Sequence, residues 1–450
     1  MRRAALGVLG VWALAACDPD PPAMGETGGT DSDTDVGSTS GATTEGGTGS
    51  SDGGPVDSSE SGATTTAPTV TCDAPLLDET FEIDPGGANG QIQPGVVFDA
   101  QAGGVWVTYN APSADGSGKF DVFVARLGCD GAPQIEPLLV NQTAGSNNID
   151  PDLARIGDDI LVTWSADDGS GGDSNLSILL QSLGPDGAPL WPEDRALVTT
   201  LDDAPFSASA WMPRLVAANA DFAIVGTRAI EAASAFQVFV QRVDSEGDAL
   251  GGTAALASMP GVAHDTPHVA ADEAGALVAA WVRTEDFELR QVEFASAIDG
   301  AFDPEVATRL LEGNATGPSV AMGPDGPLIA VSETQGAGAR IRVSATQADA
   351  TPMHAGEDGG LHHTPVLVAT TGGAALSWYR NLGGLSNEVL VARVDVEAGA
   401  LVVGEPEVVP DAVAAPYATT MTHVGGGVVF VAWAQGDSPN FRVYGRFMAP

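Results

Sequence analysis

The sequence predicts an all-β protein, and three observations carry that expectation. First, one phrase recurs: a proline, an apolar pair, a Gly or Asp turn, then a β-forming run ending in Trp or Tyr. Copies are "QPGVVFDAQAGGVWVTY" ending at Tyr109, "DPDLARIGDDILVTW" ending at Trp164, "TPHVAADEAGALVAAW" ending at Trp281 and "TPVLVATTGGAALSW" ending at Trp378. Second, the anchoring prolines are regularly placed. Pro94, Pro151, Pro213, Pro267, Pro318 and Pro365, with Thr419 near the seventh position, stand 47 to 62 residues apart. Third, most copies run on into a second hairpin, such as "DVFVARLGCDGAP", "SILLQSLGPDGAP" or "QVFVQRVDSEGDAL". Their DG and EG pairs supply the positive-φ positions of tight turns.

Each repeat therefore holds four short strands. Four strands recurring about every 50 residues is the pattern of propeller blades. Seven units are expected. The last, from about Tyr417 to Pro450, has room for three strands, and the stretch from about Glu79 to Gln93 is expected to supply the fourth, which would join the chain ends and remove an open edge. A string of β-sandwich domains is the alternative; it would repeat nearer ~100 residues.

Taken in order, the chain divides into residues 1–17, 18–71 and 72–450. Arg2 and Arg3 precede an apolar run from Ala4 to Ala13, the order of an export signal. Residues 18–71 are a Ser/Thr/Gly-rich stretch with ten acidic residues and no Lys or Arg. Such a segment cannot bury enough apolar surface to offset its ordering entropy, so a disordered spacer is expected. The propeller domain is assigned to residues 72–450. Over 450 residues, 60 acidic side chains against 18 basic ones give a formal charge of -42. That balance repels phosphate backbones and excludes nucleic acid as an expected partner. No stretch is long and apolar enough for a membrane-spanning helix.

"LAAC", Leu14 to Cys17, resembles the lipobox of bacterial lipoproteins. That resemblance implies a diacylglyceryl thioether on the Cys17 thiol, cleavage before Cys17, and acylation of the new amino terminus. Two or more acyl chains, palmitate among them, make a stable anchor. The implied location is the bacterial cell envelope, at the outer membrane or cell surface in preference to the inner membrane. With Cys17 lipidated, Cys72 and Cys129 form an even pair in a compartment that permits a disulfide. In the propeller tracing both fall on the face opposite the inter-unit connections, in neighbouring units, so a bridge is expected.

The domain resembles seven-bladed propeller ectodomains of bacterial surface lipoproteins. "SADDG" (Ser165 to Gly169) and the turn "LGPDGAPLW" ending at Trp191 resemble the Asp-box of sialidase-like propellers, S-x-D-x-G-x-T-W, a structural turn in that family. Ser165, Asp167 and Gly169 match, and the closing Thr-Trp is absent. The tyrosine–glutamate nucleophile pair of that family has no identifiable counterpart among the four tyrosines here.

Candidate binding residues gather on the face of the inter-unit connections. Arg228, Arg283 and Arg380 each stand just past the second strand of a unit, and guanidinium forks suit carboxylates. Trp211, His264, Asp265, His268, His362 and His363 stand where units begin. No cofactor is expected; the one ion the Asp-rich loops would suit is Ca²⁺, with Asp115, Asp167, Asp168 and Asp173 as ligands. No catalytic motif of the P-loop, G-x-S-x-G or H-E-x-x-H type is present. The sequence therefore predicts a lipid-anchored, monomeric, non-catalytic propeller that binds a protein or glycan. An extracellular sialidase-like glycoside hydrolase and a calcium-dependent adhesion module are the alternatives.

Overall fold

The computed structural model describes Cys72 and residues 79–167, 176–197, 210–230, 235–257, 262–285, 289–296, 309–311, 314–336, 338–346, 352–356, 360–383, 387–397, 400–412, 417–436 and 439–450. The leader, Cys17 and the spacer lie outside the described residues, as do Asp168 and Asp173.

Every helix or strand among the described residues is a strand. A two-residue strand, β1 (Phe81–Glu82), comes first. Unit one is β2 (Ile92–Asp99), β3 (Gly104–Pro112), β4 (Phe120–Gly128) and β5 (Pro133–Leu139). Unit two is β6 (Asn148–Ile156), β7 (Asp159–Asp167), β8 (Leu176–Leu183) and β9 (Arg195–Ala196). Unit three is β10 (Ala210–Ala218), β11 (Asp221–Ile230), β12 (Ala235–Val243) and β13 (Ala249–Ala257). Unit four is β14 (Val262–Ala271), β15 (Leu277–Glu285), β16 (Leu289–Ser296) and β17 (Arg309–Leu311). Unit five is β18 (Ala315–Gly323), β19 (Gly326–Gln335), β20 (Gly338–Ala345) and β21 (Met353–Ala355). Unit six is β22 (Leu361–Thr370), β23 (Gly373–Asn381), β24 (Asn387–Glu397), β25 (Ala400–Val403) and β26 (Glu407–Val408). The last unit is β27 (Tyr417–Gly425), β28 (Val428–Gln435) and β29 (Arg442–Met448).

Each unit is an antiparallel meander in chain order, except that β26 of unit six returns to pair with β24. Units five and six join into one sheet through a single parallel contact, Ala339 opposite Leu361. β1 pairs antiparallel with β29, Phe81 opposite Gly445 and Glu82 opposite Tyr444. The expected fourth strand from Glu79 to Gln93 is thus two residues long, because the Asp84–Gly90 stretch turns away before β2 begins. The first strands pack in succession, β2 against β6, β6 against β10, and so on to β22 against β27; β27 also packs against β2. The architecture is all-β and propeller-type.

The second strand of a unit is covered on both faces, so it reads as a continuous apolar run rather than an alternation. β3, β7 and β28 are buried over nearly their whole length. Trp106, Trp164, Trp281, Trp378 and Trp433 are fully buried there. The core is accordingly divided into layers between neighbouring sheets. Trp106, Leu153 and Trp164 share one layer, and Val225, Val238 and Trp281 another. The predicted hairpin chemistry is present: the carboxylates of Asp130, Asp186 and Asp244 accept backbone N–H bonds within their own turns.

Cys72 and Cys129 are bridged, with their Cα atoms 5.4 Å apart. Cys129 sits in the β4–β5 turn of unit one, while the Cys72 N–H donates to Val424 O of the last unit at 3.1 Å. The bridge therefore stands where the first and last units meet.

One irregularity recurs in the first strands. The residue before the proline takes a left-handed backbone in Gln93 (φ 54), Asp150 (φ 54), Met212 (φ 52), Thr266 (φ 47) and Thr364 (φ 50), with Gly317 (φ 57) at the matching place in unit five. Each coincides with a register shift against the second strand. Proline has no N–H to offer a ladder, which favours a bulge at that point. For β-branched Thr266 and Thr364 this conformation is strained.

Candidate functional site

Two rows of polar side chains lie at the crossover face, the edge where the chain passes from one unit to the next. The first row begins the first strands and is buried. There Trp164 Nε1 donates to Asn148 Oδ1 at 3.0 Å, and Trp378 Nε1 donates to His362 Nδ1 at 2.9 Å. In unit four Trp281 Nε1 donates instead to Glu293 Oε2 at 2.9 Å, with His264 Nε2 3.5 Å from the same oxygen. His264 is 2% and His362 1% exposed, so both serve the interior rather than an open surface. Burial pushes the His264 imidazole below its usual pKa, against the pull of Glu293.

Arg228, Arg283 and Arg380 belong to this layer. They lie within β11, β15 and β23, near the ends of those strands rather than past them, and stand opposite Ala210, His264 and His362. The sequence thus aligned them correctly across units, and the structure gives each a partner within its own unit. Arg228 Nε donates to Gln237 Oε1 at 2.6 Å. Arg283 holds Glu293 at 3.0 Å and pairs with Glu285. Arg380 Nε donates to Glu388 Oε2 at 3.1 Å. The residue at the matching place in unit five is a glutamate, Glu333, opposite Ala315 and paired with Arg340 at 2.7 Å.

The second row sits at the bulges and is half-buried. Trp211, Asp265 and His363 hold one matched position, two residues before the proline in units three, four and six. Trp211 packs edge-on against Phe236, with ring centroids 5.1 Å apart. The His363 ring lies 5.5 Å from that of Tyr379. Asp265 accepts a hydrogen bond from Thr266 Oγ1 at 3.2 Å. Burial raises its carboxyl pKa, outweighing that bond and the Arg290 charge. Burial and then the neighbouring His362 lower the pKa of His363.

The positions flanking the prolines add a group that sequence reasoning did not single out: Asp150, Asp152 and Arg214. Asp150 and Gln93 bond each other across units one and two, the Asp150 N–H donating to Gln93 Oε1 at 3.1 Å and the Gln93 amide to Asp150 Oδ1. Asp152 accepts from Leu215 N at 2.8 Å and from its neighbour Leu153 N at 3.0 Å. His268 Nδ1 accepts from Val320 N at 3.3 Å, and Ser319 Oγ from Leu367 N at 2.9 Å. The residue after the proline thus caps a backbone donor on the next unit's first strand, whose inner edge has no strand partner. His268 falls to a pKa of about 3, chiefly by burial and then by the Arg214 charge. Its role as acceptor at Nδ1 requires the neutral ring with the proton on Nε2. The signal was present in the phrase itself: the residue after the proline is polar in "DPD", "MPR", "TPH" and "GPS".

The proposed calcium ligands are placed in part. Asp115 is exposed and accepts from Ser117 N at 2.8 Å; hydrogen bonding by the Ser117 side chain, and then by its N–H, lowers the Asp115 pKa. Asp167 lies 4.0 Å from Lys119. Among the described residues no three His, Cys, Asp or Glu side chains are grouped as a metal site. Ser165 of the Asp-box fragment lies inside β7, where its hydroxyl accepts from Met212 N at 3.0 Å. Away from both rows, a shallow cleft runs between β9 and the β12–β13 turn, lined by Arg195, Leu197, Gly247 and Asp248. None of the row residues reaches it.

No family model and no curated protein matches this sequence. Solved structures do match in fold. An ulvan lyase described as a new family of polysaccharide lyase aligns over 81% of this chain and 95% of its own, with a TM-score of 0.54 and 10% identity. An α-L-arabinanase from Penicillium chrysogenum aligns over 84% and 97%, at a TM-score of 0.50 and 13% identity. A protein of unknown function from Dyadobacter fermentans aligns over 71% and 99%, at 0.51 and 15%. At these identities the likeness is one of fold, and it agrees with the propeller-type architecture.

Proposed function

We propose that this chain is a lipid-anchored, seven-bladed propeller that engages extracellular polysaccharide at the crossover face and cleaves it by acid-assisted glycoside hydrolysis. The cyclic packing of first strands and the β1–β29 pairing support a closed ring of seven. The LAAC sequence supports attachment through Cys17. The observation that carries the reading is the placing of Trp211 and Asp265 at matched positions on β10 and β14, first strands that pack together. A half-buried indole offers the flat apolar face on which a sugar ring stacks. A carboxyl whose pKa is raised by burial is suited to give its proton to a leaving glycosidic oxygen. A purely binding role is the second reading. It is favoured by the engagement of the row's other carboxylates, Asp150 with Gln93 and Asp152 with Leu215.

The test is reducing-end release from a panel of extracellular polysaccharides by the full-length protein. Asp265→Asn is expected to lower turnover about 100-fold or more while binding persists, and Trp211→Ala to weaken binding. Cleavage unchanged in Asp265→Asn removes the catalytic reading and leaves the binding one. A wild-type protein that neither binds nor cuts any member of the panel removes both. The anchor is tested separately: a Cys17→Ser protein should leave the membrane fraction.

A further inference from the structure

Arg214 lies on β10, directly after Pro213, in the half-buried row. The chain has 60 acidic and 18 basic residues, so carboxylates to pair with an arginine are plentiful. Arg126, Arg155 and Arg242 each hold an aspartate. Arg214 forms no ion pair within 4.0 Å among the described residues; its one hydrogen bond runs from Nη1 to Pro213 O at 2.9 Å.

The groups around it explain why it stays unpaired. Asp150 and Asp152 feel its charge from unit two, and His268 feels it from unit four. Yet the Asp150 carboxyl is taken by the Gln93 amide, and Asp152 by the Leu215 and Leu153 N–H groups. His268 is held as a neutral acceptor by Val320 N–H and adds no charge. A guanidinium has five N–H donors in a planar fork, and one is used here. That fork fits a carboxylate or sulfate through two parallel bonds, which a partly desolvated setting strengthens. The acidic surface does not forbid an acidic guest, because charges farther off than ~8 Å are screened at physiological salt.

We propose that Arg214 reads an anionic group on the saccharide, so that this site selects a chain bearing carboxylate or sulfate over a neutral one. The proposal rests on the saccharide reading above. Trp211, three residues earlier on the same strand, would stack the sugar ring while Arg214 holds its charged substituent.

The test is calorimetric titration of the full-length protein with an oligogalacturonide, its fully methyl-esterified form and a sulfated oligosaccharide of the same length. One of the two anionic probes is expected to bind about 30-fold more tightly than the ester, and which one tells carboxylate from sulfate. Arg214→Met should erase that difference; Arg214→Lys should keep part of it. Equal binding of ester and both anions by the wild type overturns this inference alone. Discrimination that survives in Arg214→Met overturns it too. Failure of all three probes to bind overturns it together with the saccharide reading.

Discussion

His362 and His363 are adjacent in the chain and belong to different regions of the molecule. His362 is 1% exposed and accepts the Trp378 indole N–H; His363, one residue on, is half-buried beside Tyr379 at the crossover face. The same division runs through unit four. His264 lies inside with Trp281 and Glu293, and Asp265 lies in the bulge row. The inner row satisfies buried polar groups so that large indoles can be packed. The bulge row keeps its groups within reach of solvent. Residue type does not separate the two; the hydrogen-bond partner and the degree of burial do.

That contrast can be broken most forcefully at the indoles. Trp164→Ala is expected to cost about 4 to 5 kcal/mol, combining lost burial, a cavity and an orphaned Asn148 Oδ1. Trp211→Ala, in the other row, should cost under about 1 kcal/mol, and denaturant titration of both variants measures the difference. If the two losses are alike, the rows are not distinct. A smaller effect separates the adjacent histidines. His362→Leu leaves the Trp378 N–H buried without an acceptor and should cost about 2 kcal/mol, whereas His363→Leu should fall within about 0.5 kcal/mol of wild type. Thermal melts of the pair decide it.

The smallest effect is on pH dependence and concerns His268. Its folded pKa of about 3 lies below the ordinary value of 6.5, so the unfolded chain binds the extra proton across that interval. Stability attributable to this group is therefore present above pH ~6.5 and lost as pH falls toward ~3. The raised carboxyls of Asp150, Asp152 and Asp265 act in the opposite sense, since they take up protons in the folded state. His268→Gln removes the first contribution alone. Its melting temperature should decline less than that of the wild type between pH 6.5 and 4; a parallel decline would rule out His268 as a neutral acceptor of the Val320 N–H.

The repeat, the strand order within units and the turns were legible in the sequence because each rests on local chemistry: prolines, DG pairs and apolar runs. The Cys72–Cys129 pairing followed from that tracing. Asp150, Asp152 and Arg214 were passed over because their importance depends on the next unit's first strand, a neighbour about 50 to 60 residues away in the chain. The left-handed turns at Thr266 and Thr364 contradict local preference and could be known only from the bulge geometry. The arginines were aligned correctly, but their partners were not foreseen, since Glu293 and Glu388 approach from the third strand of each unit.

The join between first and last units has a mechanical meaning. β1 contributes two paired residues and, by itself, would peel under modest tension. Cys72 precedes β1 in the chain and is covalently bound to Cys129 in the β4–β5 turn. A pull arriving through the residues before Cys72 is therefore delivered across a sulfur–sulfur bond into the hairpin turn that joins the third and fourth strands of unit one. The two-residue strand β1 is left off the load path.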